Sequence, residues 1–170
     1  MTTGDGAGRA EVSTRAMGDG DWDDVRRIYA DGAATGVATF ETEVASQEEL
    51  DRRWHRDQRW IAVVGGKVAA WTAAMPISGR ACYSGVAETS IYVDAAFRGR
   101  GIGRALIARQ NDEADARGLW TLQTSIFVVN VVSIALHTSS GYRVVGTRER
   151  IAQRDGVWHD TVMLERRRAD

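Results

Sequence analysis

A short basic stretch rich in glycine, RGRGIGRALIAR at residues 98–109, follows the strand-like segment YVDAAF. Glycine permits positive φ angles and lets a ligand approach the backbone closely. The N-terminus of a helix adds unpaired N–H groups and a partial positive charge at the same point. Since the apolar spacing after the glycines is helical, this stretch predicts a binding site for a phosphate or pyrophosphate group.

Two common phosphate-binding motifs do not fit this stretch. A P-loop requires Gly-Lys-Ser/Thr, which the sequence lacks. The dinucleotide pattern G-x-G-x-x-G fails because its sixth position is Arg104 when counted from Gly99 and Leu106 when counted from Gly101. The next strand also ends in Gln-Thr-Ser, without the acidic ribose ligand of that fold. The pattern that remains is Arg98-x-x-Gly101-x-Gly.

The strand before the glycines, AETSIYV, carries a candidate general base. Its period of two places Glu88 on one face with Ser90 and Tyr92, opposite a layer formed by the alternate residues. A second candidate is His137 in SIALHTSS, since an imidazole can take or return a proton near neutral pH. The alternatives stay open at this point: a solvated strand carboxylate for Glu88 and a structural imidazole for His137.

The surrounding pattern predicts a mixed α+β fold with a mostly antiparallel sheet. Hairpins are predicted where Gly65-Gly66 and Asp155-Gly156 separate strand-like runs. The predicted helices, with Asp21 and Ser46 as N-caps of the first two, lie in WDDVRRIYADG, QEEL, GIGRALIARQNDEADAR and VSIALHTSS. We expect a flexible start at residues 1–10 and one domain over residues 11–168.

Composition excludes several classes of function. A formal net charge of −1 gives no bulk attraction to nucleic acid or to an anionic membrane. The single cysteine, Cys82, rules out an intramolecular disulfide, and His55, His137 and His159 lack the spacing of metal ligands, so no metal site is predicted. No apolar run approaches the roughly 20 residues of a spanning helix, which favours a cytoplasmic protein.

Together, the strand, the short loop and Arg98-x-x-Gly101-x-Gly resemble the acetyl-CoA signature of the GCN5-related N-acetyltransferase (GNAT) superfamily. Most of the chain is similar to the phosphinothricin (methionine sulfoximine) acetyltransferase family, through the segments GVATFET, AETSIYV, NVVSIALH, GYRVVG and DGVWHD. The resemblance implies the GNAT fold and an N-acetyltransferase that uses acetyl-CoA. A tight turn with solvated arginines is the alternative for the glycine stretch alone.

The resemblance implies that backbone amides from about Arg100 to Ala105 hold the CoA pyrophosphate. Arg98 and Arg100 would support its charge, and backbone N–H groups near Tyr92 and Val93 would polarise the thioester carbonyl. Asn130 and Ser133 match the pattern N-x-x-S-x-x-x-H, although they are also suited to capping a helix. The full set implied for the cofactor is Ile91, Tyr92, Val93, Arg98, Gly99, Arg100, Gly101, Ile102, Gly103, Arg104, Ala105, Asn130 and Ser133.

For catalysis the resemblance implies Glu88 as the base, His137 as a second acid or base, and Tyr92 either beside the thioester or in the core. Arg80 and Tyr83 are implied to bind the anionic end of an amino-acid substrate, and Phe40 to form a wall of the pocket or part of the core.

The expected reaction acetylates the α-amine of a small amino acid or analogue, such as phosphinothricin or methionine sulfoximine. A protein N-terminal acetyltransferase and a CoA-binding sensor without turnover are the alternatives. A homodimer is expected from the family and from an apolar surplus that includes six tryptophans.

Overall fold

The computed structural model describes residues 11–169, so the flexible start expected at residues 1–10 lies outside the described part. One seven-stranded sheet, in the order β1-β2-β3-β4-β5-β7-β6, forms the centre of the molecule. The strands are β1 Val12–Ala16, β2 Arg59–Val64, β3 Lys67–Pro76, β4 Val86–Val93, β5 Thr121–Phe127, β6 Arg143–Arg154 and β7 Val157–Arg167. The helices are α1 Trp22–Ala34, α2 Gln47–Arg53, α3 Ile102–Ala116 and α4 Val131–Thr138.

The predicted α+β fold with a mostly antiparallel sheet is confirmed, and both predicted hairpins are present. β2 pairs antiparallel with β3, and β6 pairs antiparallel with β7. Asp155 and Gly156 have φ angles of 50° and 78°, so both turn residues adopt the left-handed conformation that a tight two-residue hairpin requires.

The middle of the sheet is open. β4 and β5 run parallel but pair over only three positions, from Val86↔Thr121 to Glu88↔Gln123. β4 continues for five residues beyond Glu88, to Val93, and β5 continues to Phe127. Because these continuations are not paired with each other, the two strands diverge and leave an opening in the sheet after Glu88.

Apolar layers cover both faces of the sheet. On one face, α1 and α2 pack Trp22, Ile28 and Trp54 against Trp71 of β3. On the other face, α3 packs its buried aliphatic side chains against the alternate residues of β2, β3 and β4. Each fully buried large side chain contributes about 1.5–3 kcal/mol through removal of apolar surface from water. The predicted alternation along β4 follows, since Tyr92 packs with the first layer and Ile91 and Val93 with the second.

Asp21 occupies the N-cap position of α1, as predicted, although its side chain does not cap the helix, and the predicted cap of α2 is confirmed. The Asp21 carboxylate accepts a hydrogen bond from the Gly18 N–H at 2.7 Å and two from Arg15 at 2.7 and 2.8 Å, and makes no cap bond to α1. A paired, charge-assisted contact is the stronger option for this carboxylate. Ser46 accepts from the Glu49 N–H at 3.2 Å. Within residues 11–169, no helix is long and apolar enough to cross a membrane.

Candidate active site

The glycine stretch forms the turn that leads into α3. Gly99 and Gly101 have φ angles of 73° and 78°, and a Cβ at either position would meet open space. The first backbone bond of the helix is donated by the Ala105 N–H to the Gly101 carbonyl at 3.1 Å. The N–H groups from Ile102 to Arg104 precede that bond, and Gly101 supplies no side-chain cap. These three amides are therefore available to an anion, whereas the Ala105 amide, which was expected to contribute, is used within the helix.

A groove of about 700 Å³ lies against this helix N-terminus. The Arg98 and Arg104 side chains line it, whereas the Arg100 guanidinium lies 5.5 Å from the ring centroid of Phe97 and does not line the groove. The lining residues are Gly32, Thr35, Val37, Ala38, Ile91, Tyr92, Val93, Phe97, Arg98, Gly99, Gly101, Ile102, Gly103, Arg104, Asn130, Val132, Ser133 and Leu136.

Gly103 has a packing role that the sequence pattern did not predict. A Cβ at this position would lie 2.9 Å from Cδ2 of Leu136, a residue of α4. The absence of a side chain therefore leaves room for Leu136 at the groove, so replacement of Gly103 would force the Leu136 side chain to move as well as alter the start of α3.

A second space, which we call the inner cavity, lies between the diverging parts of β4 and β5 and has a volume of about 270 Å³. It is lined by β4, β5, α4 and the loop of residues 35–45 between α1 and α2. The lining residues are Tyr29, Ala38, Thr39, Phe40, Glu41, Met75, Glu88, Thr89, Ser90, Ile91, Tyr92, Thr124, Ser125, Ile126, Phe127, Asn130, Ser133 and His137.

The groove and the inner cavity share part of their walls, and these shared residues mark where the two spaces meet. They come from β4, from the start of α4 and from the 35–45 loop: Ala38, Ile91, Tyr92, Asn130 and Ser133. A molecule bound along the groove can therefore present one end to a second molecule in the inner cavity.

Glu88 is half-buried in the wall of the inner cavity. Its Oε2 accepts a hydrogen bond of 3.4 Å from Nε2 of Gln123, the residue opposite it in β5. A second carboxylate, Glu41, lines the same cavity from the 35–45 loop. The sequence analysis did not identify Glu41, because an irregular loop carries no periodicity that would show which way its side chains point.

His137 is only 3% exposed and also lines the inner cavity. Its Nδ1 lies 2.8 Å from the Ser133 carbonyl oxygen, which fixes the proton on Nδ1 and leaves Nε2 as a proton acceptor. Burial lowers the pKa of the imidazole below its ordinary value, so the ring is neutral at pH 7. Asn130 caps α4, with Oδ1 accepting from the Ser133 N–H at 3.2 Å.

Tyr92 fills part of the core and also lies at the junction of the two spaces. Its ring stacks on Trp71 with centroids 4.9 Å apart, and it covers Gly32, where a Cβ would lie 2.4 Å from the ring. The hydroxyl donates to the Ala38 carbonyl at 3.5 Å. Burial raises the pKa of the phenol, which therefore stays protonated at neutral pH.

The pairing of β4 with β3 determines which amides face the opening. The Asp94 N–H donates to the Ala69 carbonyl of β3 at 2.9 Å. Since successive residues of a strand direct their N–H groups to opposite sides, the Tyr92 N–H faces β3, and those of Ile91 and Val93 face the opening. Of the two amides expected to polarise the carbonyl, that of Val93 faces the opening and that of Tyr92 faces β3, while the Ile91 amide faces the opening in its stead.

Of the three residues expected to bind substrate, only Phe40 lines the inner cavity, with its ring centroid 4.5 Å from that of Phe127. Arg80 and Tyr83 are exposed, and the guanidinium of Arg80 lies 5.5 Å from the Tyr83 ring centroid. The β3–β4 pairing continues to Pro76↔Ala87, so their loop begins beyond the cavity wall. It then turns back on itself through a bond from the Tyr83 N–H to the Arg80 carbonyl.

Comparisons with known proteins agree with this geometry. Residues 22–142 match the model of the acetyltransferase (GNAT) family. The Bacillus subtilis (strain 168) protein YwnH is 33% identical over 86% of this chain and 93% of its own length. A phosphinothricin N-acetyltransferase of Streptomyces viridochromogenes is 29% identical over 78% of this chain and 74% of that protein. The structure of a phosphinothricin acetyltransferase from Sinorhizobium meliloti in complex with AcCoA has a TM-score of 0.83, with 27% identity, and the match covers 92% of this chain and 88% of that one.

Proposed function

This chain belongs to the acetyltransferase (GNAT) family, and we propose that it transfers the acetyl group of acetyl-CoA to the α-amine of a small amino acid or amino-acid analogue. The observation that carries the proposal is the junction of the groove and the inner cavity at Ile91, Tyr92 and Ser133. A long co-substrate and a small acceptor can meet there. Glu41, Glu88 and His137 line the inner cavity, where the acceptor would bind.

The groove suits acetyl-CoA, which, when bound, supplies the acetyl thioester. The free N–H groups at the start of α3 fit its pyrophosphate, and Arg98 and Arg104 line the same groove. Gly99 and Gly101, at positive φ and without side chains, let the phosphates approach the backbone. The N–H groups of Ile91 and Val93 face the opening, where they would polarise the acetyl carbonyl.

Glu88 is proposed as the base that removes the proton of the acceptor amine. The acceptor amine attacks the thioester only in its neutral form, so a positioned carboxylate that removes the ammonium proton promotes the transfer. Because His137 is neutral, its Nε2 can take a proton but cannot supply one. The protonated Tyr92 hydroxyl at the junction is the candidate donor to the departing sulfur.

The acceptor is proposed from the relatives, among which are proteins named as phosphinothricin acetyltransferases. The inner cavity, about 270 Å³ in volume, suits a small amino acid such as phosphinothricin, and Phe40, Phe127 and Met75 offer it an apolar wall. Arg80 and Tyr83 lie outside this cavity, so their role in binding the anionic end of a substrate stays a prediction. The homodimer and the cytoplasmic location also stay predictions.

Release of CoA thiol tests the proposal. The assay compares phosphinothricin, L-methionine sulfoximine, L-methionine sulfone, other amino acids, alkylamines and short peptides with free N-termini. We expect turnover with one or more of the amino acids. Turnover only with peptides would favour protein N-terminal acetylation, and binding of acetyl-CoA without turnover of any amine would favour a sensor.

A further inference from the structure

The 35–45 loop forms one wall of the inner cavity, but it contains no helix or strand that would fix its backbone. Four of its residues line the cavity, Ala38, Thr39, Phe40 and Glu41. Within the loop, only two short side-chain bonds were found, from the Val37 N–H to Thr35 and from the Glu41 N–H to Thr39. The conformation that brings Phe40 and Glu41 to the cavity therefore depends on contacts from elsewhere in the chain.

Two of those contacts, both to residues that line the cavity, come from one side chain, Arg154, at the end of β6. Its NH1 donates to the carbonyls of Thr39 and Glu41, and its NH2 donates to the carbonyl of Ala33, each at 2.7 Å. At the start of the loop, the Thr35 hydroxyl donates to the Gly32 carbonyl of α1 at 2.7 Å. The other polar contacts from outside to residues 37–45 are longer, 3.5 Å from the Tyr92 hydroxyl to Ala38 and 3.4 Å from Asn130 to Val37. Arg154 thus makes the two shortest polar bonds from outside to residues 37–45, and it joins them to the end of α1 through Ala33.

The guanidinium is suited to this task. Ala33 lies in the last turn of α1, where carbonyls lack helical partners and the helix dipole favours a cation. Hydrogen bonds from a charged donor are roughly twice as strong as neutral ones, and the planar fork reaches several acceptors at once. The side chain is only 10% exposed, so water competes little for these bonds.

The hairpin tip that carries Arg154 is itself anchored at the cavity. Arg154 pairs with Val157 across the turn, and His159, two residues farther along β7, stacks on Phe127 with centroids 4.8 Å apart. The His159 ring also contacts Phe40 edge-on at 6.1 Å. The tip therefore holds the loop backbone through Arg154 and packs near its aromatic side chain through His159.

We propose that Arg154 is a positioning residue for the acceptor: it fixes the 35–45 loop in the conformation in which Phe40 and Glu41 form the wall of the inner cavity. The proposal rests on the proposed function only in naming the occupant of that cavity. Loss of the guanidinium would loosen the acceptor wall and leave the anion site at the start of α3, which Arg154 does not contact, in place.

The test compares Arg154→Gln and Arg154→Lys with Arg148→Gln, a matched variant of an exposed arginine on the same strand whose guanidinium contacts Met163. With L-methionine sulfone as acceptor, we expect Arg154→Gln to raise the acceptor KM at least tenfold and to change the acetyl-CoA KM less than twofold. Arg154→Lys keeps the charge but cannot reach three carbonyls, so its acceptor KM should be intermediate. Arg148→Gln should match the wild type.

A second measurement needs no turnover. Phe40 is the only aromatic residue of the 35–45 loop, so chymotrypsin cleavage after Phe40 reports how firmly the loop is held. We expect cleavage at least tenfold faster in Arg154→Gln and unchanged in Arg148→Gln. Unchanged cleavage, or equal rises in both KM values, would overturn the proposal. Failure of L-methionine sulfone as a substrate, with fast cleavage in Arg154→Gln, would count against the proposed acceptor and not against the role of Arg154.

Discussion

At the scale of single residues, two carboxylates compete for the role of base in the inner cavity. Glu88 is fixed on a paired strand and touches Gln123, whereas Glu41 belongs to the loop. We expect Glu88→Gln to lower kcat by about 10² to 10⁴, the usual effect of losing a general base, with little change in acetyl-CoA affinity. Glu41→Gln should act mainly on the acceptor KM. Steady-state kinetics of both variants decide the assignment, and a larger loss of kcat in Glu41→Gln would move the base to the loop.

The buried imidazole of His137 predicts a pH dependence of stability. Because burial lowers its pKa in the folded state, the unfolded chain binds a proton first, near pH 6.5. The free energy of unfolding is therefore highest above about pH 7 and falls as the pH drops through 6.5 toward the folded pKa. The carboxyl groups of Asp21 and Asp115, whose pKa values are also lowered, act at a lower pH.

Denaturant unfolding of the wild type and His137→Gln at pH 7.5 and 5.5 measures this contribution. The variant should lose less stability than the wild type between the two pH values, because it has no imidazole to protonate. Equal losses in both proteins would contradict the burial argument.

At the scale of elements, the turn before α3 can be separated from an ordinary glycine turn. Gly101 and Gly66 share a φ of 78°, and a Cβ at either would meet nothing within 4 Å, but Gly66 lies in the β2–β3 turn away from the groove. Alanine at each position should cost about 1–2 kcal/mol of stability through the same left-handed strain. Only Gly101→Ala should also diminish the rise in Tm that acetyl-CoA produces, because a side chain there opposes close approach of the phosphates.

Thermal unfolding of both variants with and without acetyl-CoA is the measurement. A rise in Tm that is reduced equally in Gly66→Ala and Gly101→Ala would mean that the glycine turn serves the fold and not the cofactor. Gly66 and Gly101 are better positions for this test than Gly103, because a side chain at Gly103 would also contact Leu136 and would alter packing as well as binding.

Features that depend on neighbouring residues could be predicted from the sequence, whereas features that depend on distant segments could not. Turns such as Gly65-Gly66 and the alternation along β4 depend on neighbouring residues, and both are present. The opening between β4 and β5 depends on where a parallel pair stops, which no local pattern records. In the same way, Glu41 and Arg154 owe their places to contacts between segments more than 100 residues apart, as in the bond from Arg154 to Glu41.

At the scale of the whole molecule, the exposed apolar surface includes only two of the six tryptophans, Trp120 and Trp158. Trp22, Trp54, Trp60 and Trp71 are buried in the core. The large apolar side chains that remain exposed on β6 and β7 are Val144, Val145, Ile151, Val157 and Trp158, with Val144 49% and Val157 58% exposed. The sheet order makes β6 one of two edge strands, and β6 is 12 residues long against five for β1.

An exposed edge of this length, bordered by valines and isoleucine, is suited to pair with a second copy of the chain. Since a homodimer has the same surface on both sides of its axis, one substitution alters the contact twice. We expect Val144→Glu to convert the predicted dimer into a monomer. The substitution would place two carboxylates in an apolar contact, and burial of a carboxylate without a partner of opposite charge is costly. Ser13→Glu, on exposed β1 at the opposite edge, is the matched variant and should stay dimeric. Sedimentation velocity at micromolar concentration distinguishes the two. A monomeric wild type would refute the dimer itself, and a monomeric Ser13→Glu beside a dimeric Val144→Glu would place the contact on β1, leaving the β6–β7 hairpin with only its role at the acceptor wall.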